Sequence, residues 1–359
     1  MASKNWKVGI VGYGSSAKIF HIPFIQALPE YTLHAIVQRT PRVGNDAAKE
    51  HPDVKCFPCL DEMLKETTVD MIVISTPVES HYSLTKSALF AQKHANEADE
   101  LIALANQQHR LLSVFHNRRW DADFVTLKQL LVSRTLGLVT NYETCFEFSD
   151  PRRSVQNSAD PMNTVSQIKA IYDLGTHLLD QAIHIFGLPQ RVTGHLGAEL
   201  KGNDSSECSN IFTVLMHYDN GLLVTAKAGT ISSKEKPLRF LVTGDKGGFK
   251  KFYFDIQKEH LLAGKSPRDN GFGEEPLERY GELVSETGVL ATKESGGSAI
   301  EKSIATVEPP TWAEYYRKLA RALSGREPVP VSGSEARDII QIIELAIISS
   351  QLKETVEIP

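Results

Sequence analysis

The feature that most constrains the fold is a glycine-rich loop that directly follows a short apolar stretch near the N-terminus. Residues Lys7–Val11 predict a buried strand, and Gly12-Tyr13-Gly14-Ser15-Ser16-Ala17 then fits the pattern GxGxxG/A. Such a loop permits a tight turn and a close approach to a pyrophosphate, which the N–H groups of the following helix attract. Because the loop precedes the predicted helix Ile19–Leu28, it indicates a dinucleotide site; the alternative is a simple strand-to-helix turn.

Alternating strands and helices continue after this loop. Thr32–Gln38 predicts a second strand, Asp61–Lys65 the start of a helix with Asp61 as its N-cap, and Met71–Ser75 a further buried strand. Apolar strands that alternate with helices are typical of a parallel sheet covered by helices. We therefore expect residues 1–118 to form a Rossmann dinucleotide-binding domain.

The second half of the chain has a different pattern, in which long strands are joined by hairpin turns. Asn210–Tyr218 and Leu222–Ala228 flank Asp219-Asn220-Gly221. Arg239–Thr243 and Phe249–Phe254 flank a second, glycine-rich turn. An Asn-Gly pair between two apolar runs is a strong hairpin signal, so this half predicts an open, mainly antiparallel sheet.

Three further segments complete the coarse prediction. Gly264–Pro310 is rich in Gly, Pro, Ser and Glu and predicts a long excursion. Thr311-Trp312-Ala313-Glu314 offers a capping box for a helix, and Ser334–Leu352 predicts the last helix, which we expect near the N-terminal domain. The fold class is thus α/β, with residues 119–359 as a substrate-binding and oligomerisation domain.

Composition excludes several classes of protein. The 359 residues carry 39 Lys and Arg against 44 Asp and Glu, a formal charge of −5, which predicts neither disorder nor a nucleic-acid-binding surface. No stretch reaches the roughly 18 uninterrupted apolar residues that a membrane helix needs, and the first residues leave no signal-peptide core. We expect a two-domain cytoplasmic protein with no nucleic-acid or membrane partner.

The cysteines predict no disulfide framework and no metal site. Cys56, Cys59, Cys145 and Cys208 are too few for such a framework, which agrees with a reducing compartment. Cys56 and Cys59 form a CxxC, but no second ligand pair accompanies them. We interpret the CxxC as a coincidence in a strand-to-helix loop.

The residues at the end of the second strand bear on the choice between NAD and NADP. An NAD-specific site usually has a carboxylate there, about twenty residues after the loop, to bind the ribose 2′-hydroxyl. In this chain the sequence reads Ile36-Val37-Gln38-Arg39-Thr40, with no carboxylate, and Arg39 could pair with a 2′-phosphate. We therefore predict NADP in preference to NAD; if Arg39 is only a solvated loop charge, the preference stays open.

Two segments resemble hallmarks of the glucose-fructose oxidoreductase/inositol dehydrogenase (Gfo/Idh/MocA) family. They are Ser75-Thr76-Pro77 with Ser80-His81-Tyr82, and Tyr172-Asp173-Leu174-Gly175-Thr176-His177-Leu178-Leu179-Asp180. The resemblance covers nearly the whole chain, including Gly12–Phe24, Asn117–Asp121, Pro328–Ser334 and the final helix. It implies NAD(P)-dependent hydride transfer to or from a secondary alcohol or carbonyl of a sugar, polyol or related small molecule. It also implies a homodimer or homotetramer, because the open sheet of this family often packs against a partner subunit.

Asp173 and His177 match the Asp-x-x-x-His of this family, which lies on a helix that lines the substrate pocket. Residues four apart share a helix face, so this carboxylate and imidazole can both reach one carbon that bears a hydroxyl. We expect His177 to take the hydroxyl proton, because imidazole titrates near neutral pH, and Asp173 to orient the substrate or bias the charge of His177. The alternative is an acidic first turn followed by a buried structural histidine.

The predicted cofactor contacts come from three places in the sequence. The first is the loop Gly12, Tyr13, Gly14, Ser15, Ser16 and Ala17, together with Arg39. The second is Thr76, Pro77 and His81, at the carboxyl end of the strand Met71–Ser75. The third is Asn117 and Arg118, which follow an expected strand at Arg110–Phe115 and are otherwise an exposed basic loop. His21, one turn into the first helix, is interpreted as a packing residue.

The chain departs from the family at one place. Family members usually continue, after a helix that ends in Gly-Lys-His, with a strand and a Glu-Lys-Pro whose lysine belongs to the catalytic set, whereas Ala91–Asp99 leads directly into the next helix. Ser80–Gln107 is thus nearly unbroken helix-forming sequence, roughly 40 Å long as one helix. Either a long helix projects, or the segment breaks near Lys93–Asn96 around a gap in the sheet. Arg110–Phe115 could then pair directly with Met71–Ser75.

Three explanations of this departure stay open. In the first explanation, the sequence comes from a gene model or transcript that lost a short segment, and the product is a defective or unstable enzyme. Alternatively, the chain is a true variant that uses Lys93, Lys169 or no lysine. In the third explanation it is a catalytically impaired member that acts as a dinucleotide-binding or regulatory protein. Retention of Asp173 and His177 argues against that loss of chemistry.

Overall fold

The computed structural model describes residues 4–66, 69–77, 80–89, 97–147, 170–197, 211–229, 236–285, 300–309 and 311–359. The chain divides into two compact units. The first comprises Met1–Phe115, Ile256–Glu274 and Pro309–Arg337. The second comprises His116–Asp255, Glu275–Glu308 and Asp338–Pro359. Two segments from the second half of the sequence therefore belong to the first unit.

Strands and α-helices are numbered in chain order. The strands are β1 (Trp6–Val11), β2 (Tyr31–Val37), β3 (Lys55–Phe57), β4 (Met71–Ile74), β5 (Val139–Glu147), β6 (Arg191–Gly197), β7 (Ile211–His217), β8 (Leu223–Gly229), β9 (Leu238–Gly244), β10 (Gly247–Phe252), β11 (Gly281–Ser285), β12 (Ile300–Ile304) and β13 (Val356–Glu357). The α-helices are α1 (Ile22–Ala27), α2 (Ala47–Glu50), α3 (Leu60–Leu64), α4 (His81–Leu89), α5 (Glu97–Gln107), α6 (Ala122–Val132), α7 (Thr176–Phe186), α8 (Gln257–Leu262), α9 (Ala313–Leu323) and α10 (Gly333–Leu352). Short π-helical turns, Ala17–His21 and Ile171–Gly175, lead into α1 and α7, and Asn117–Trp120 and Leu277–Arg279 are 3₁₀ turns.

The first unit is built on a parallel sheet in the order β3-β2-β1-β4, which confirms the predicted alternation of strands and helices. Val11, at the end of β1, lies opposite Val37 on β2 and Ile74 on β4. Val8 and Ile10 are completely buried, as expected for a central strand with both faces covered. The carboxyl ends of β1, β2 and β4 thus lie side by side.

Two predicted helix caps are wrong in detail. Cys59, in an extended conformation, holds the N-cap position of α3, so Asp61 lies in the first turn, where its charge complements the helix dipole. The capping box at α9 does not form. The Thr311 hydroxyl instead accepts a hydrogen bond from Gln257 at 2.8 Å, and Glu314 pairs with Arg321.

The segment Ser80–Gln107 forms two helices, α4 and α5, rather than one. Lys86 of α4 donates to Glu100 of α5 at 2.5 Å, and the Tyr82 hydroxyl donates to the same carboxylate. The break expected at Lys93–Asn96, like the candidate residue Lys169, lies outside the described residues.

The strand expected at Arg110–Phe115 is absent. Ser113 makes an isolated bridge with Ser332, and the Val114 N–H donates to the Val331 carbonyl at 3.1 Å. These contacts with a distant part of the sequence take the backbone groups that a sheet would use. In the described part of the chain, β4 consequently pairs with β1 alone.

The second unit contains one mixed sheet in the order β12-β11-β10-β9-β5-β8-β7-β6-β13. Only β5 and β8 run parallel; the other neighbouring strands are antiparallel, as predicted. The two predicted hairpins are β7–β8 and β9–β10. The expected excursion Gly264–Pro310 is wrong in part, because β11 and β12 extend the sheet at one edge.

One face of this sheet is buried under α7 and α10. The buried side chains of β7, Phe212, Val214 and Met216, share a core with Leu178 on α7 and Ile342 on α10. Along β7 buried residues alternate with half-buried ones, because successive side chains of a strand point to opposite faces. The helix predicted at Ser334–Leu352 is confirmed as α10. Among the described residues, no helix has the length and apolar character needed to cross a membrane.

Gly194 allows α10 to approach β6 closely. A Cβ at this position would overlap the backbone carbonyl of Ala346, and the Gly194 N–H donates to the Ser349 hydroxyl at 2.9 Å. We expect Gly194→Ala to lower the free energy of unfolding by roughly 1–3 kcal/mol through overpacking, measured by urea denaturation. Gly197→Ala is the matched control, because its Cβ would meet side chains, those of Ile211 at 3.2 Å and His195 at 3.8 Å, rather than backbone. Equal stability of the two variants would contradict the close contact.

Candidate active site

The glycine-rich loop of the first unit leaves β1 in a conformation that only glycine adopts without strain. Gly12 has a φ of +100°, and a Cβ there would lie 2.6 Å from the Ser75 carbonyl oxygen. Around Gly14, by contrast, no atom lies within 4 Å of an added Cβ, and Ser15 and Ser16 are exposed. The loop therefore crosses close to the end of β4 and leaves the start of the following helix open to a ligand.

The residues after β4 form a tight turn beside this loop. The His81 Nε2 donates to the Thr76 carbonyl at 2.6 Å, and the Ser80 hydroxyl donates to the Thr76 hydroxyl at 2.8 Å. Pro77 is exposed. The Ser75 hydroxyl is buried, with no hydrogen-bond partner among the described residues. The structure thus brings Thr76, Pro77 and His81 next to the glycine-rich loop, at the carboxyl ends of adjacent strands.

This geometry fits the pyrophosphate of a dinucleotide. Because Gly12 has no side chain, the loop can pass close to Ser75. The loop is open to solvent at Gly14, and the Ser75 hydroxyl can still donate a hydrogen bond. The first N–H groups of a helix have no partner within the helix and attract anions. The residues that would hold the cofactor are therefore Gly12 to Ala17 and the turn after β4.

Tyr13 takes part in a cluster that the sequence did not reveal. Its hydroxyl donates to Glu50 on α2 at 2.8 Å, and Lys18 donates to the same carboxylate, also at 2.8 Å. These two hydrogen bonds lower the pKa of Glu50 to about 2, and the bond from Lys18 has the larger effect. The hydrogen bond from the Tyr13 side chain thus attaches the glycine-rich loop to α2. A carboxylate does lie near the loop, but Lys18 compensates its charge.

Arg39 remains available at the end of β2. The preceding Gln38 holds the neighbouring loop, since its amide donates to the Asn45 carbonyl and accepts from the Ala47 N–H, both at 2.8 Å. Arg39 is exposed, and no described residue binds its guanidinium. Its position therefore allows it to meet a negatively charged group from solvent.

His21 is a packing residue, as predicted. Its ring is 5% exposed and lies 4.3 Å from the Phe115 ring, and its Nδ1 is 2.7 Å from the Tyr316 hydroxyl. Burial lowers the pKa of His21 to about 3, so the ring is neutral.

In the second unit, Asp173 and His177 begin a polar stripe along one helix face. Asp173 lies in the π-helical turn before α7 and is exposed, and His177 lies in the first turn of α7 and is half-buried. Asp180 and Gln181 continue the stripe one turn later and are completely buried. A π-turn of this kind inside a helix is often found at functional sites. On this stripe, Asp173 and His177 are accessible to a small molecule, whereas Asp180 and Gln181 are not.

The buried part of the stripe binds the segment that follows residue 115. Arg119 donates to both carboxylate oxygens of Asp180, at 2.6 and 2.9 Å, and Gln181 donates to the Arg118 carbonyl at 2.5 Å. These bonds hold the segment so that the centroids of the His116 and His177 rings are 6.2 Å apart, with the two ring planes at 89°. Sequence reasoning missed His116, Asp180 and Gln181 because their roles depend on this tertiary contact.

Asn117 and Arg118 lie in a 3₁₀ turn on this segment rather than after a strand. Asn117 is buried, and Arg118 pairs with Asp121 at 3.3 Å. The exposed basic loop considered as an alternative is therefore wrong for these residues.

A buried cluster of charges lies behind this turn. Arg239 is fully buried and contacts Asp121 at 3.7 Å and Asp123 at 3.3 Å, and it also donates to Gln181 at 2.7 Å. Lys251 pairs with Glu275 at 3.0 Å in the same unit. Burial raises the pKa of Asp121 to about 8, opposed by Arg118 and reinforced by Asp255. Burial likewise raises the pKa of Glu275 to about 7.

Two other sequence features do not contribute to these sites. Cys56, on β3, and Cys59, at the start of α3, are exposed free thiols, and no group of metal-ligating side chains occurs among the residues described. The tripeptide Glu235-Lys236-Pro237 does occur in the chain, but it precedes β9 in the second unit. The Pro237 carbonyl there accepts from the Tyr253 N–H at 2.8 Å, a role within the β9–β10 hairpin.

Asp121 generates a prediction about pH. Its pKa is about 8 in the folded protein, against about 3.9 in an unfolded chain, so the folded state binds the proton more tightly. The stabilisation is complete below the unfolded pKa and is lost as the pH rises through the folded pKa. We expect the melting temperature to fall by roughly 5–10 °C between about pH 6 and about pH 9, because about 2–3 kcal/mol of stability is lost and ~1 kcal/mol corresponds to roughly 2–4 °C.

Asp121→Asn should reduce this slope, because the amide imitates the protonated carboxyl. The control is Asp219→Asn in the exposed β7–β8 turn, which should leave the slope unchanged. An unaltered slope in Asp121→Asn would show that Asp121 is not the group that titrates.

Comparison with known proteins agrees with both units. Residues 6–116 match a model described as "Oxidoreductase family, NAD-binding Rossmann fold", and residues 128–358 match its C-terminal alpha/beta domain. The chain is 31% identical to scyllo-inositol 2-dehydrogenase (NADP(+)) IolW of Bacillus subtilis, over 98% of this chain and 95% of that protein. It is 34% identical to the uncharacterized oxidoreductase YdgJ of Escherichia coli, over 98% and 99%. The crystal structure of an oxidoreductase from Bacillus cereus superimposes with a TM-score of 0.84 at 28% identity, covering 99% of both chains.

Proposed function

The chain belongs to the Gfo/Idh/MocA oxidoreductase family, and we propose that it is an NADP-preferring dehydrogenase or reductase acting on a secondary alcohol or carbonyl of a polyol or sugar. The observation that carries this proposal is the accessible pair Asp173 and His177 on a helix face that is otherwise buried. A relative named as a scyllo-inositol dehydrogenase that uses NADP(+) supports a polyol substrate.

The proposed chemistry assigns one task to each member of this pair. When bound, the nicotinamide supplies the hydride acceptor or donor. His177 takes the hydroxyl proton of the alcohol in oxidation and returns it to the carbonyl oxygen in reduction. Asp173, one helical turn earlier, accepts a hydrogen bond from the substrate and stabilises the positive charge on His177. In the first unit, Gly12 to Ala17 bind the pyrophosphate and Arg39 binds the 2′-phosphate.

His177 gives the direct test of this proposal. Replacement of His177 by Ala should lower kcat on an accepted polyol by roughly 10²–10⁴-fold, because a positioned acid/base contributes about that factor. Turnover is followed by the absorbance of reduced nicotinamide across a panel of inositols, polyols and sugars. The control is His184→Ala, two turns further along α7, where the ring contacts Lys128. If the His177→Ala variant were as active as the wild type, the assignment of the acid/base would be wrong.

Arg39 gives the test of cofactor preference. Arg39→Ala should weaken NADPH binding by roughly 10–100-fold, the worth of a charged hydrogen bond, and leave NADH binding nearly unchanged. Binding is measured by nicotinamide fluorescence. The control is Arg42→Ala, another exposed arginine of the same loop. If the affinities for NADPH and NADH fell equally, or if neither fell, Arg39 would not contact the 2′-phosphate.

A second candidate function is supported by the sheet of the first unit. β4 has a single partner among the described residues, and the family lysine is missing from its usual place after α4. In this alternative the protein binds the dinucleotide as a regulatory or interaction protein without turnover. Saturable NADPH binding with no turnover on the whole panel would favour it. An unstable product of a damaged gene model would instead show no cooperative melting transition.

We also propose a homodimer or homotetramer in the cytoplasm. Ile211, Leu215 and Leu223 are half-buried on the sheet face away from α7 and α10, and a second copy would cover them. The described cysteines are free thiols, in agreement with a reducing compartment.

A further inference from the structure

A second histidine lies against His177, and the proposed chemistry gives it no task. The His116 ring is 7% exposed and meets the His177 ring edge to face, with the centroids 6.2 Å apart and the planes at 89°. The offset edge-to-face arrangement is a favourable geometry for two aromatic rings. His177 is therefore in contact with a side chain that can also bind a proton.

The position of His116 is fixed by the backbone and side chains that follow it. The Arg119 N–H donates to the His116 carbonyl at 3.2 Å, and the Arg119 guanidinium binds both oxygens of Asp180. Gln181 also holds the Arg118 carbonyl. Because Asp180 and Gln181 lie one turn after His177 on the same helix, these bonds hold the two rings together.

We propose that His116 is a positioning residue for His177. Its ring fixes the plane of the His177 imidazole, and the repulsion between two imidazolium rings disfavours the state in which both are charged. This inference rests on the proposed function, since it gives His116 a role only where His177 exchanges a proton with substrate.

Several charged groups lie near the two rings. Asp173 precedes His177 on its own helix, and the Arg119–Asp180 pair follows it. Arg118 also donates hydrogen bonds to Asp121, at 3.3 Å, on the turn that carries His116. Two imidazolium rings about 6 Å apart in a partly solvated setting repel each other, and this repulsion lowers the pKa of the second ring by roughly 0.5–1 unit. Protonation of one ring therefore makes protonation of the other less favourable.

Two variants distinguish the effect of the His116 ring on the orientation of His177 from the effect of its charge. His116→Asn removes the ring and should lower kcat by about tenfold or more with KM changed by less than about threefold, because the orientation of the proton acceptor is lost. His116→Phe keeps a ring of similar shape and should retain kcat within about threefold. In that variant the acid limb of the kcat/KM profile should change from two coupled proton steps to a single one.

The matched control is His184→Phe, on the same helix. His184 also packs against an aromatic ring, that of Phe124 at 6.5 Å, but it lies away from His177. It should leave kcat and the pH profile unchanged. Thermal melting shows whether each variant is folded, and if His116→Asn does not fold, His116→Phe decides alone.

A measurement without substrate or cofactor keeps this inference separate from the proposed function. The ring resonances of ¹³C-labelled histidines are titrated by NMR, with His177 assigned from His177→Asn. In His116→Phe we expect the His177 resonance to move and its titration to become a single step, whereas His184→Phe leaves both unchanged. Identical His177 titrations in the wild type and both His116 variants would overturn the inference. If His177→Asn proves fully active, the proposed function fails, while the NMR titration still reports the ring contact.

Discussion

The second unit depends on one buried ion pair, between Arg119 and Asp180. Two hydrogen bonds join the guanidinium to the carboxylate, and both side chains are almost completely removed from solvent. The bidentate geometry offsets the desolvation of two charges, whereas removal of one partner would leave the other buried and uncompensated at a cost of about 3–5 kcal/mol. Because the pair joins the turn Asn117–Trp120 to α7, it also fixes which face of α7 remains accessible.

The neighbouring charges extend this constraint into the sheet. Arg239 on β9 contacts Asp121, Asp123 and Gln181, so the sheet, the segment after residue 115 and α7 are held by one polar network. Apolar residues of similar volume often stabilise a protein as well as such a network does. The directional bonds of the network instead specify a single arrangement. Asp173 and His177, at the accessible end of the stripe, are positioned as a consequence.

The sequence was most informative where a local pattern has a single structural solution. Gly12 and Gly14 between an apolar run and a helix predicted the loop, and Asn220-Gly221 predicted the β7–β8 hairpin. It was least informative where a strand is short or irregular. Arg110–Phe115 is apolar enough for a strand, but its backbone contacts Val331 and Ser332 instead. The strands β11 and β12 lie in a segment whose Gly, Ser and Glu content concealed them, and they are recognisable only from their pairing with β10 and with each other.

The sequence by itself determined the α/β class, the glycine-rich loop and the shared face of Asp173 and His177. These features follow from spacing along one element, which the periods of helix and strand translate directly into geometry. Only the tertiary structure decided that Glu50 anchors Tyr13, that Arg119 binds Asp180 and that His116 meets His177. The partners in these contacts are 37 residues apart in the first case and 61 in the second. At such separations the packing of the elements sets the distance between two side chains, so the spacing in the sequence carries no information about it.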